Sequence, residues 1–120
     1  MTAAPYLKNA LPDAQPAGGN PTLTYAAALN VDLSVNNFMS SVTLTGNVSG
    51  LTFTNGIEGV TYYLEVIQDG TGSRTVAKGT GTLFAGGSLS LSSSASEVDI
   101  LGILFDGTNY NVWIVGKNFS

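Results

Sequence analysis

The chain has no cysteine and no histidine. Without thiols there is no disulfide framework, no sulfur nucleophile and no zinc knuckle. Without imidazole there is no Ser-His or Cys-His catalysis, and the commonest metal-binding side chain is missing. Charge is scarce as well. Charged residues fill 10% of the 120 positions, where about 25% is usual. Four basic residues face eight acidic ones, for a net charge of −4. Phosphate recognition needs clustered Lys and Arg, so nucleic acid is not an expected partner. No run approaches the ~20 apolar residues of a spanning helix. The start, Met1–Ala10, lacks the basic-then-apolar pattern of a signal peptide. These absences predict no membrane, no metal, no cofactor and no enzymatic activity.

Proline is missing from most of the chain. Pro5, Pro12, Pro16 and Pro21 are its only prolines. Proline cannot donate to a sheet ladder, so the proline-free remainder suits continuous β structure. This predicts an extended arm over residues 1–21 and one β domain over residues 22–120. The length suits a single domain.

What is present alternates. Leu23, Tyr25, Ala27, Leu29, Val31, Leu33 and Val35 occupy successive odd positions, with Thr, Ala, Asn, Asp and Ser between them. A period of two is a strand signal, and a helix would scatter these side chains around its axis. A bend near Ala28–Asn30 would split the segment into two strands. Further strands are predicted at Ser41–Thr45, around Leu51 and Phe53, at Val60–Gln68, Arg74–Lys78, Gly81–Phe84, Ser88–Leu91, Glu97–Phe105 and Asn109–Val115. Asn55-Gly56 and Asp106-Gly107 are tight-turn signals, because these residues tolerate positive φ. Short strands between Gly-rich turns predict an antiparallel β-sandwich, jelly-roll-like.

Candidate chemistry reduces mainly to turn chemistry. Asp69-Gly70-Thr71-Gly72 lacks the Asp-Thr-Gly or Asp-Ser-Gly core of an aspartic protease loop. It reads as a turn in which Asp69 caps backbone N–H groups and Gly70 and Gly72 supply unusual φ. Arg74, the only arginine, is placed to bridge Asp69 or the turn carbonyls through its planar fork. The glycine pairs have no helix behind them to cradle phosphate. Asp69 and Asp106 are too isolated for a calcium site. Glu97 and Asp99 project from one strand face, a spacing a glycosidase pair would tolerate, but like charges on an exposed strand are ordinary. Tyr62 and Tyr63 are adjacent and must point to opposite faces. Strands apolar on both faces exceed what a two-layer sandwich buries. They predict a subunit interface, with Tyr63, Ile67, Leu101, Ile103 and Phe105 as its residues.

The order of motifs carries a resemblance. Gly59-x-x-Tyr62-x-Leu64-x-Val66-x-Gln68-Asp69-Gly70-Thr71-Gly72-Ser73-Arg74-Thr75-Val76 is followed by Phe84-Ala85-Gly86-Gly87, by Val98-Asp99-Ile100-Leu101 and by Phe105-Asp106-Gly107-Thr108-Asn109-Tyr110. This resembles a β-sandwich module of tailed-bacteriophage virion proteins, above all the C-terminal parts of tail fibres. The similarity runs over about Val42–Tyr110, and Gln68–Val76 is its most specific stretch. That module often continues from Arg-Thr-Val into Trp-Pro. Here Val76-Ala77-Lys78-Gly79 follows, so no ligand role of that aromatic carries over.

The resemblance implies a virion structural protein, homotrimeric, assembled in the host cytoplasm. With Met1 only some 21 residues ahead of the fold, the expectation is a capsid decoration or cement protein. Its arm would dock on the major capsid protein or another virion protein through Tyr6, Leu7 and Leu11. The alternative is a small tail-fibre or receptor-binding tip protein. There, loops such as Ala85–Ser88 and Asp106–Asn109 would touch host surface glycan.

Overall fold

Alternating side chains give strands, and the lengths of the links decide how those strands pair. The computed structural model describes residues 21–35 and 38–120. Its strands are β1 (Thr22–Leu23), β2 (Ala28–Asp32), β3 (Met39–Leu44), β4 (Val48–Thr54), β5 (Thr61–Gln68), β6 (Val76–Lys78), β7 (Thr82–Phe84), β8 (Val98–Phe105) and β9 (Tyr110–Phe119). Among the described residues there is no α-helix, only short 3-10 turns at Leu33–Val35 and Ala85–Gly87.

The chain alternates between two sheets. One has the order β1-β3-β5-β8-β9-β7 and the other β2-β4-β6. Pairing is parallel from β1 to β3, β3 to β5, β2 to β4 and β4 to β6. Each pair of successive strands therefore makes one turn of a β-solenoid. Thr22 lies beside Ser41, 19 residues on, and Ser41 beside Glu65, another 24 on.

This corrects the antiparallel, jelly-roll expectation. Parallel neighbours need a crossover connection, and here the crossover is a strand of the other sheet. Asn55 has the expected left-handed φ of 62°, yet the chain leaves it for β5 in the opposite sheet and closes no hairpin. The Leu23–Val35 alternation does divide into two strands of different sheets, but the break falls at residues 24–27, and Ala28–Asn30, where the bend was expected, lies inside β2. Ser88–Leu91 is loop.

The last three strands differ. β8 runs antiparallel to β5, and β9 antiparallel to β8. The β8–β9 turn is built by Asp106, whose Oδ1 accepts the Thr108 and Asn109 N–H groups at 2.9 and 2.7 Å. β7 then pairs parallel to β9.

The core lies between the inner faces. Leu29 and Val31 of β2 and Leu51 and Phe53 of β4 meet Val42, Leu44, Tyr62, Leu64, Val66, Leu101, Ile103 and Val112 from the larger sheet. Burying each such side chain contributes about 1.5–3 kcal/mol. Tyr62 keeps its hydroxyl satisfied inside the core by accepting the Ile57 N–H at 3.0 Å.

Candidate functional site

Directly opposed residues share a sheet face, so the register maps the outer surface of the six-stranded sheet. One row crosses it as Met39, Tyr63, Gly102 and Trp113. The row on one side is Thr61, Leu104, Asn111 and Leu83. On the other side lie Ser41, Glu65 and Ile100, then Thr43, Ile67, Val98 and Phe119. Tyr63, Leu83 and Phe119 are 40%, 44% and 50% exposed. Glu65 is the only charged side chain in these rows. Gly102 has a packing reason: a Cβ there would come within 2.6 Å of the Trp113 ring, which lies across it.

The outer face of the three-stranded sheet is chemically opposite. Asn30 Nδ2 donates to Thr52 Oγ1 at 2.9 Å, and Thr54 Oγ1 donates to Asn30 Oδ1 at 3.2 Å. Asn55 Nδ2 donates to Asp32 Oδ1 at 2.9 Å. That bond, with the Ser34 N–H, holds the Asp32 carboxyl below its ordinary pKa. This face is a ladder of mutually satisfied polar groups.

Between the sheets at one flank sits the Gln68–Thr75 turn. Arg74 grips Asp69 bidentately, Nη2 to Oδ2 at 2.9 Å and Nε to Oδ1 at 3.2 Å. Asp69 Oδ1 also accepts the Thr71 and Gly72 N–H groups. The Arg74 hydrogen bonds are the main reason its pKa falls to about 2. Buried Gln68 donates to the Arg74 and Ser92 carbonyls and accepts the Arg74 N–H, each at 2.9 Å. Gly72 takes φ +76°, and a Cβ there would meet the Ser93 carbonyl oxygen at 2.6 Å. Turn and Ser-rich loop are thus stapled together.

Behind that loop lies buried Asp99, 2% exposed. It accepts the Ser92 N–H and Oγ–H at 2.6 Å each and the Asn118 N–H at 3.0 Å. Glu97 instead accepts the Ser94 N–H in the loop. The two carboxylates therefore do not share an exposed strand face, because Asp99 turns inward to organise the loop.

The family described as "Putative phage tail fibre C-terminal domain" matches residues 21–110 of the chain. The chain belongs to that family. It is therefore a module of phage virions. Comparison with curated proteins and with solved structures returns no match. The family sides with a tail fibre and lends no support to capsid decoration.

The family match ends at Tyr110, the first residue of β9. Of this tail-fibre domain's outer face it therefore includes Tyr63, Ile67 and Leu83, and not Trp113 or Phe119. Among the residues expected at a subunit interface, Tyr63 and Ile67 lie on the outer face. Leu101 and Ile103 do not: both are 0% exposed, in the core. Phe105 shares their side of β8 and stacks on Tyr110, ring centroids 4.3 Å apart. The outward residues of β8 are Val98, Ile100 and Leu104. Asp69, Gly70, Gly72 and Arg74 form the turn just described. Tyr6, Leu7 and Leu11 lie outside the described residues.

Sequence reasoning did not single out Trp113, Leu83 or Phe119. Pairing of Trp113 with Gly102 was the available signal, since an aromatic over a cross-strand glycine marks one face.

Proposed function

We propose that this protein is the C-terminal structural domain of a phage tail fibre and works in the virion as a homotrimer. The family match over residues 21–110 supports the tail-fibre part of this reading, and the exposed apolar side chains Tyr63, Leu83 and Phe119 support self-association. Low charge and a solenoid frame fit a structural part whose contacts are made by faces rather than by a reactive centre. Its attachment partner is another virion protein. The anchoring role read for Tyr6, Leu7 and Leu11 belongs to that contact. Quantitative mass spectrometry and antibody labelling of purified particles test the assignment. A few copies per particle, labelled at the tail, support it; dense labelling of the head contradicts it. Deleting residues 2–21 should leave a folded oligomer that no longer joins particles.

A second reading, contact with host surface glycan, is favoured by a cleft of about 310 Å³ beside the Arg74 turn. Ser73, Thr75, Ser90 and Arg74 offer hydroxyls and a guanidinium, while Leu89 and Leu91 supply apolar walls. Its size sits at the lower end of ligand pockets, roughly 300–1,000 Å³. The Asp106–Asn109 loop is less suited, because Asp106 already serves its own turn and Asn111. Titration with host polysaccharide followed by NMR should shift the cleft residues. No shift at saturating polysaccharide would remove this second reading.

A further inference from the structure

We infer that the outer face of the six-stranded sheet is where one copy of this chain docks on another. The inference rests on the homo-oligomer proposed above and locates its contact. The face is continuous across four neighbouring strands and β7, through Met39, Tyr63, Ile67, Leu104, Trp113 and Leu83.

Area is the first argument. Aromatic side chains each offer about 150–250 Å². At 40% and 50% exposure, Tyr63 and Phe119 together leave roughly 150–200 Å² of ring surface open. Leu83 and the half-buried Ile67, Ile100, Leu104 and Trp113 bring the face to several hundred square ångströms. That approaches the ~800 Å² that each partner gives to a standard interface, and an apolar patch of this kind marks an interaction surface.

Charge identifies the occupant. Each chain carries a net −4, so two copies repel unless they meet where charge is lowest. Glu65 alone is charged in these rows. A charged partner would find Glu65 alone to pair with, whereas a largely uncharged apolar face is complementary to its own copy. The polar ladder of the other sheet has its hydrogen bonds already satisfied and offers no such gain.

The absence of cysteine makes the test clean. Single variants Tyr63→Cys, Leu83→Cys and Phe119→Cys of the full chain are compared with Asn30→Cys and Thr54→Cys on the polar face. Met39→Cys is held in reserve for any variant that does not fold. Native mass is measured first, then cross-linking by bifunctional thiol reagents of graded length. The expected result is an oligomer that cross-links at least about tenfold faster from the outer-face positions. An oligomer that cross-links equally, or faster, from Asn30→Cys and Thr54→Cys overturns the location while leaving the fibre reading standing. A monomer at all concentrations overturns the location and the homo-oligomer together. A monomer whose Tyr63→Cys thiol reacts slowly with a small reagent would show the face covered by the chain's own residues, again against the inference.

Discussion

The two sheets share one core but present opposite outer faces. On the three-stranded sheet, Asn30, Thr52 and Thr54 hydrogen-bond across the strands, and Asn55 adds a bond to Asp32. These groups gain partners while staying wet. On the six-stranded sheet, Tyr63, Trp113, Leu104 and Ile67 stand where the same alternation would permit Ser or Thr. The polar ladder adds cross-strand hydrogen bonds to a register that the buried inner faces of β2 and β4 already specify. An apolar outer face gives no such help in water and becomes favourable only when something covers it. On the docking proposed above, one face serves the fold and the other serves an assembly.

That contrast can be broken at several points. Leu101 sits on β8 beside the outward-facing Ile100, yet it is fully buried. Leu101→Ala should cost about 2–5 kcal/mol in urea unfolding and leave the oligomer's mass unchanged at native concentrations. Loss of association without loss of stability would mean that Leu101 faces a neighbour. Tyr63→Glu does the reverse. It should weaken association by about a hundredfold, roughly 2.7 kcal/mol, in sedimentation equilibrium, with Thr54→Glu as a silent counterpart. If the two changes act alike, the faces are not distinct.

Smaller effects test the polar side. Asn30→Ala removes the bonds to Thr52 and Thr54. It should lower stability by about 0.5–1.5 kcal/mol in urea titration, with no change in mass.

The smallest effect is a pH dependence. The Asp69 carboxyl titrates at about 2 in the fold against about 3.9 when unfolded. A depressed carboxyl pKa stabilises the fold above the unfolded value. That contribution fades as pH falls from about 4 towards 2. Thermal unfolding between pH 6 and 2 should show the midpoint falling in that window, less steeply in Asp69→Asn. Parallel curves would mean the Arg74 bridge does not affect stability.

Much of the strand content was legible, because period-two alternation reports local geometry. Val60–Gln68, Glu97–Phe105 and the Asp106-Gly107 turn emerged close to the observed β5, β8 and the β8–β9 link. Pairing direction was not legible. A strand's alternation is the same whether its neighbour runs parallel or antiparallel, and Asn55-Gly56 reads as a hairpin turn in either case. Which side of β8 faces inward was hidden by Asp99. A carboxylate at odd parity suggests that Leu101 and Ile103 face outward with it. Instead Ser92 and the Asn118 backbone satisfy it inside, and the whole set turns to the core. The Arg74–Asp69 turn was readable from composition because it is local, closing within five residues.

Trp113 is the only tryptophan and lies on the apolar outer face, so its fluorescence reports that face alone. The decisive measurement is its emission and acrylamide quenching over a dilution series, with mass followed in parallel. If this face joins the subunits, dilution should dissociate the oligomer, and Trp113 should shift to the red and become quenchable at the same concentrations. Dissociation with unchanged Trp113 emission and quenching would contradict the account.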